Sequence, residues 1–309
     1  MILPRDLQLK IENLTKELKI KDLSESRQNL TARYKNETGR SKSLINKETD
    51  SVVYAISRMP ATYAVIHDLI VELVEEGKLD GVQTVVDFGS GTGAGYFAIK
   101  DIFDDVCIDL VERDVNMIKC FDKLSDGEVK VETRNIFDYR KSADLVLTSY
   151  VLSEMLESDR FKTIDKLLEI SNKYLLIIDT GTPQVYQDMM KIKEYVYEKG
   201  FFVTAPCMSK NCGLKDDYCQ FFARVERSSL HKQLKSGTLS YEDEKYFYLL
   251  IEKKEREIFG ERIIRRPIFK ENMIEVKVCL NSGVQNKVYT KKDKELFKKV
   301  KKTKINQIV

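Results

Sequence analysis

The stretch Val85-Val86-Asp87-Phe88-Gly89-Ser90-Gly91-Thr92-Gly93-Ala94-Gly95 constrains this chain more than any other. An apolar run over 82–88 stops at four glycines on alternate positions, then takes on helical spacing through Phe97, Ala98, Ile99 and Phe103. A strand feeding a helix through glycine lets a ligand lie against bare backbone, where a Cβ would collide. The helix start adds unpaired N–H groups that face a polar or anionic partner. A tight turn without a ligand is the plainer alternative, but it does not account for the acids described next.

Dinucleotides and S-adenosylmethionine both use such a corner. The Gly89-x-Gly91-x-x-Ala94 subset fits the dinucleotide fingerprint, so the glycines alone do not decide. Asp87 turns the stretch into acidic-x-Gly-x-Gly-x-Gly, which more closely resembles the class I methyltransferases. Glu112 ends the next apolar run, 107–111, where a carboxylate can accept both ribose hydroxyls; that serves either ligand. S-adenosylmethionine is the preferred ligand, with an NAD-linked oxidoreductase as the competing class.

The 309 residues are enough for one large core, or one ordinary core with appendages. A net charge of only +3 excludes a uniformly basic molecule, yet residues 287–304 hold nine lysines against Asp293 and Glu295. No run reaches the length of a membrane span, so no membrane partner is expected. The N-terminus lacks a secretory apolar core, and its acids Asp6, Glu12, Glu17, Asp22 and Glu25 speak against a transit peptide. A cytoplasmic protein is the expectation, and its six cysteines are therefore not read as disulfides.

Residues 1–50 are highly charged, with Ile11, Leu14 and Leu18 on helical spacing, and read as one or two amphipathic helices. Pro60 opens a helix whose Val65, Ile66, Leu69, Ile70, Leu73 and Val74 share a face and which Gly77 can end. Strands are predicted over 82–88, 107–112, 129–133, 143–150 and 174–179, with helices to 103 and over 116–124, 160–170 and 184–198. Strands over 201–205 and 218–225 then read as a terminal hairpin. Ser240 with Asp243 suggests a capped helix over 241–254, strands follow over 274–280 and 284–289, and the basic tail reads as a helix or arm. The resulting fold class is α/β, a Rossmann-like sheet of the class I S-adenosylmethionine methyltransferase type. Three segments are expected: a helical extension over 1–80, the sheet domain over 81–228 with a cysteine-bearing insertion at 206–219, and a basic β-containing region over 229–309.

Ligands of open α/β sheets bind outside the carboxyl ends of the strands. That rule selects Asp87, Gly89, Gly91, Gly93, Glu112, Asn135, Ile136 and Tyr150 as cofactor-binding candidates. Ile136 or Phe137 would flank an adenine and Asn135 would bond its edge, unless these are ordinary loop residues. After strand 143–150 the sequence Thr148-Ser149-Tyr150-Val151-Leu152-Ser153-Glu154 lacks both the Asp/Asn-Pro-Pro-aromatic loop of base-amino methylation and a Pro-Cys pair for cytosine C5 attack. No catalytic residue is named. Cys207, Cys212 and Cys219 crowd one loop with C-x4-C-x6-C spacing, and Cys279 lies far downstream. Three thiols in thirteen residues suggest a soft-metal site, and a fourth thiolate would complete either a zinc or an iron–sulfur shell. Cys107 and Cys120 read as buried apolar residues. The lysine-rich tail offers charge to a phosphate backbone, or else is a solvated terminus.

Seven strings occur in order: Arg58-Met59-Pro60-Ala61-Thr62-Tyr63-Ala64, Asp87-Phe88-Gly89-Ser90-Gly91, Ser149-Tyr150-Val151-Leu152-Ser153-Glu154, Gly181-Thr182-Pro183, Ala205-Pro206-Cys207, Tyr241-Glu242-Asp243-Glu244-Lys245 and Arg265-Arg266-Pro267. The set resembles the methyltransferase-like family of mitochondrial small-ribosomal-subunit assembly proteins and its bacterial relatives. The resemblance implies an S-adenosylmethionine-type domain, small-subunit ribosomal RNA or the small subunit as partner rather than DNA, and a [4Fe–4S] cluster on Cys207, Cys212, Cys219 and Cys279, with zinc as the alternative. One departure is Thr92, where proline is expected. The leading functional expectation is an S-adenosylmethionine-dependent methyltransferase-like protein acting on or with small-subunit ribosomal RNA in ribosome assembly or translation. The alternative is a non-catalytic RNA-binding assembly factor that keeps the fold and an iron–sulfur cluster.

Overall fold

A computed structural model of the protein describes residues 2–36, 44–214, 217–235, 237–303 and 307–309. The chain divides into two units, Met1–Thr180 with Phe222–Tyr246, and Gly181–Phe221 with Phe247–Val309. These units cut across the three segments expected from the sequence: the N-terminal helices share a unit with the glycine corner, and the cysteine loop shares one with the C-terminal strands.

The first unit opens with α1 (Arg5–Asn13), α2 (Ile20–Asn36), α3 (Glu48–Ser57) and α4 (Met59–Glu75). It continues through β1 (Thr84–Phe88), α5 (Ala94–Ile102), β2 (Cys107–Val111), α6 (Val115–Leu124), β3 (Val131–Thr133), β4 (Ala143–Ser149), α7 (Glu157–Ile170) and β5 (Ser171–Thr180). Pro60 stands in the first turn of α4, where no N–H is needed, and Leu69, Ile70 and Leu73 are fully buried. The extension holds three helices rather than one or two, because the buried Asp50 carboxylate accepts bonds from Arg33 at 2.7 Å, Asn46 N–H at 3.0 Å and Ser26, fixing α2 against α3.

The five strands lie in the order β3-β2-β1-β4-β5, and every adjacent pair is parallel. Val85, Val86, Leu145, Val146, Leu147, Leu175, Leu176 and Ile177 are all buried, as strands covered on both faces require. The order reverses at β1 and β4, so their carboxyl ends splay apart and leave a crevice there. This is the class I methyltransferase-like α/β arrangement that the alternating pattern predicts.

The chain then forms α8 (Pro183–Glu198), β6 (Phe202–Ala205), β7 (Phe221–Glu226), α9 (Ser229–Lys235) and β8 (Tyr241–Glu252). The helix expected over 241–254 is a twelve-residue strand. Tyr246, Phe247, Tyr248, Leu249, Leu250 and Ile251 are all buried, and a helix buries one stripe rather than six consecutive side chains. Phe221 covers one side of this run, 5.0 Å between ring centres with Tyr248, and Tyr186 covers Phe247 at 5.3 Å. The expected hairpin is corrected too. β6 pairs antiparallel with the second half of β8, Val203 opposite Ile251, and β7 also pairs with β8, so β6 and β7 are not each other's partners.

The second unit ends in β9 (Arg262–Ile263), β10 (Ile268–Phe269), β11 (Met273–Leu280), β12 (Gly283–Thr290) and α10 (Lys294–Lys302). β11 and β12 form the expected hairpin through Gly283, whose φ of +111° suits glycine. Ile263, Ile274, Val276, Val278, Tyr289 and Val300 make a small separate core, on which Leu296 and Phe297 of α10 also pack. Among the described residues no helix is long and apolar enough to cross a membrane.

Candidate functional site

The crevice at the strand ends of the first unit is a cavity of about 670 Å³, within the usual size range of small-molecule sites. Its wall includes Gly89, Gly91, Glu112, Asn135, Ile136 and Tyr150, six of the eight residues selected from sequence. Gly91, at φ +56°, has no side chain within 3.9 Å of where a Cβ would stand, so bare backbone faces the space. Glu112 is 9% exposed; its Oε2 accepts the Gly91 N–H and its Oε1 the Asp114 N–H, each at 2.8 Å. Burial raises its pKa. Glu112 thus braces the glycine turn as well as facing the cavity, a role that spacing did not suggest. Asp114 in turn caps α6, accepting from Asn116 and Met117 N–H.

Asp87 and Gly93 lie outside the cavity wall. Asp87 is 1% exposed, and neither carboxylate oxygen has a hydrogen-bond partner among the described residues. Burial, with Glu112 second, pushes its pKa up to about 7. A Cβ on Gly95 would overlap that carboxylate, and a Cβ on Gly93 would overlap the Phe121 ring. The four glycines therefore divide their work: Gly91 opens the cavity, while Gly93 and Gly95 let α5 pack.

Asn135 is exposed and its side-chain oxygen accepts the Phe137 N–H, closing a short 3-10 turn over Ile136–Asp138. Ile136 is buried in the wall, placed to flank a planar group. Tyr150 sits at φ +58°, a backbone conformation disfavoured for a bulky side chain, and its buried hydroxyl has no partner among the described residues. The turn that follows is pinned from two sides. Asp179 accepts from Ser153 N–H at 2.9 Å and Ser153 Oγ at 2.7 Å, and Arg160 Nε donates to Leu152 O at 2.9 Å.

Three lining residues were not foreseen. Tyr34 and Tyr54, with ring centres 6.5 Å apart, bring the N-terminal helices into the wall, and Glu154 ends the pinned turn. Burial and the charge of Asp179 push Glu154 up to about 8, while the Tyr34 hydroxyl donates to it. An acid two turns after a strand has no spacing signature of its own. The string 149–154 pointed to the region but not to this residue.

In the second unit Cys207 follows β6, Cys212 and Cys219 lie along the same loop, and Cys279 is near the end of β11. All four are free thiols, as are Cys107 and Cys120. Cys120 is buried as expected, but Cys107 is exposed at the first position of β2, ahead of the covered part of that strand. Burial raises Cys207, Cys279 and Cys219, the last to about 12, and the thiols act on one another electrostatically. Asp217 ties the loop to the C-terminal strands through Lys277 at 2.9 Å and through Arg265; despite partial burial these partners bring it down to about 2. Among the described residues no group of three or more His, Cys, Asp or Glu is placed to hold a metal ion. The donors fit a metal–thiolate centre by chemistry and neighbourhood rather than by present spacing.

The human mitochondrial ribosome assembly protein METTL17 is 24% identical over 234 residues, 66% of this chain and 51% of that protein. The chain thus spans about half the length of this curated relative. Among solved structures, the plantazolicin methyltransferase BpumL with S-adenosylhomocysteine is 13% identical, with a TM-score of 0.45 over 76% of this chain and 98% of that one. Magnesium protoporphyrin IX methyltransferase from Synechocystis PCC 6803, also with S-adenosylhomocysteine, is 11% identical, with a TM-score of 0.43 over 72% and 94%. The family described as mitochondrial small ribosomal subunit Rsm22 matches residues 48–306, most of the chain. From the glycine corner through the cysteine loop to the lysine-rich helix, this chain belongs to the Rsm22 family.

Proposed function

We propose that this protein is an S-adenosylmethionine-binding, methyltransferase-like factor that works on or with small-subunit ribosomal RNA in ribosome assembly or translation. The observation that carries the reading is the cavity at the β1–β4 switch point, where Gly91, Glu112, Ile136 and the unpartnered Tyr150 hydroxyl converge. Glu112 would receive the ribose hydroxyls, Ile136 would flank the adenine, and the bare Gly91 backbone would admit the amino-acid end. The cofactor, when bound, supplies an activated methyl group; the chain's own contribution is alignment and exclusion of water.

RNA contact falls to the basic end of the chain. Lys291, Lys292, Lys294, Lys298, Lys299, Lys301 and Lys302 are exposed and form no ion pair among the described residues, while Leu296, Phe297 and Val300 hold α10 to the sheet. Lys304 lies outside the described residues. Such a charged ridge gains affinity by releasing counterions from phosphates. Cys207, Cys212, Cys219 and Cys279 would carry a [4Fe–4S] cluster, with zinc as the alternative, bracing the loop against β11. The support is the family, the soft donor set and its buried cationic surroundings.

A non-catalytic variant of this reading is favoured by one observation: Tyr34 and Tyr54 close part of the cavity wall beside the pinned turn, where an acceptor would approach. Calorimetric titration with S-adenosylmethionine tests the first reading, and the absence of any binding would end it. Methyl transfer from labelled cofactor to small-subunit RNA separates enzyme from binding factor.

A further inference from the structure

The second unit buries cations beside its thiols. Lys193 of α8 is 2% exposed; its Nζ donates to Ser209 O at 2.7 Å and also bonds the Cys207 thiol. Among the described residues no carboxylate is paired with it. Arg262 of β9 is 1% exposed, donates from Nε to Pro206 O at 3.0 Å, and stands opposite Cys279 in the β9–β11 ladder. Both cations act electrostatically on the cysteines, Lys193 on Cys207 and Cys279, Arg262 on Cys207 and Cys219.

An ammonium taken out of water without a counter-charge is a heavy cost for a fold to carry. A single hydrogen bond to a carbonyl does not offset it, and a lysine serving only Ser209 could be replaced by any neutral donor. What the site lacks is negative charge. Four thiolates around a divalent ion, or around a cluster core of like charge, leave roughly two negative charges over. Two buried cations answer that excess.

We propose that Lys193 is the built-in counter-charge of a metal–thiolate centre on Cys207, Cys212, Cys219 and Cys279, with Arg262 as its second cation. Lys193 is a positioning residue: it touches a ligand rather than the metal, and it sets how tightly the centre is held. The inference rests on the metal-centre reading above and adds to it the residue that makes an anionic centre tolerable in this lobe.

The test uses full-length protein purified without oxygen, in wild-type form and as Lys193→Met, Lys193→Gln and Lys193→Arg. Iron, sulfide and zinc are assayed, metal loss to a chelator is timed, and melting is followed with metal bound and after stripping. Lys193→Met is expected to hold the metal about 10- to 100-fold more weakly, as for other residues that orient metal ligands. Its melting temperature should fall in the loaded form but stay level or rise in the stripped form, where an uncompensated charge has been removed. Lys193→Gln, which keeps a donor for Ser209, should behave like Lys193→Met, and Lys193→Arg like wild type. Equal metal retention in wild type and Lys193→Gln overturns the proposal alone. So does an equal loss of stability with and without metal. A folded wild-type protein that holds neither iron nor zinc overturns this proposal and the metal-centre reading together.

Discussion

The Glu112 carboxylate and the Gly91 backbone are joined by a 2.8 Å hydrogen bond, so the second-strand acid fixes the first-strand turn. Ligand affinity and local order at this corner therefore share one residue. Glu112→Ala removes an acceptor for two backbone N–H groups and the expected ribose contact. Bonds to a charged acceptor contribute about 1.5–3 kcal/mol each, so S-adenosylmethionine affinity should drop by at least about tenfold. Calorimetry reads the affinity, and a fall in melting temperature without ligand reads the brace. Loss of affinity with unchanged melting would show that Glu112 serves the ligand alone.

Gly91 and Gly93 should fail in different ways. Alanine at Gly91 keeps a left-handed φ of +56° at a cost of about 1–2 kcal/mol and meets open space, so the protein folds while its cavity narrows. Alanine at Gly93 adds an overlap with Phe121 to the same backbone penalty, and overpacking alone costs about 1–3 kcal/mol. Denaturant unfolding should place Gly93→Ala well below Gly91→Ala, while ligand titration of the folded fraction reverses the order of damage.

Asp87 gives the apo protein a pH dependence of known sign. Its carboxyl is raised from an ordinary value of 3.8 to about 7, so the folded state holds the proton more tightly than the unfolded chain. Stability is full below pH about 4 and declines as pH rises toward 7, by an amount on the order of a few kcal/mol. Asp87→Asn removes that decline. Equilibrium unfolding at pH 5 and pH 8 should show the variant gaining on wild type at the higher pH; parallel curves would refute it.

Removing four lysines of α10, Lys298, Lys299, Lys301 and Lys302, should leave the fold intact, since all four are exposed. For single-stranded RNA each lost phosphate contact lowers the salt slope by about 0.7, so the slope of log affinity against log salt should flatten by up to about 3. Anisotropy with a small-subunit RNA fragment checks it. An unchanged slope would move the RNA contact elsewhere.

Much of the first unit was legible because its signals are short-range. Alternating apolar runs, Pro60 at a helix start and glycines at a strand end each have a local physical reason. β8 misled because Ser240 and Asp243 imitate a helix cap, whereas the deciding fact, burial of Tyr246 to Ile251 on every side, depends on Phe221 and Tyr186 from distant sequence. Tyr34, Tyr54 and Glu154 escaped for the same reason, since only folding brings an N-terminal helix pair beside the turn after β4. Lys193 is the extreme case. In a helix rich in charge it looks like any solvated lysine, and only its burial sets it apart.

The first unit is not written continuously in the chain: it closes with residues Phe222–Tyr246, after the detour through Gly181–Phe221. During synthesis, a nascent chain that has reached Thr180 still lacks part of its own first unit. Cys207, Cys212 and Cys219 leave the ribosome before that unit can close, and Cys279 leaves after it. The order of emergence is thus fixed by the gene: three thiols first, then completion of the cavity-bearing unit, then the fourth thiol.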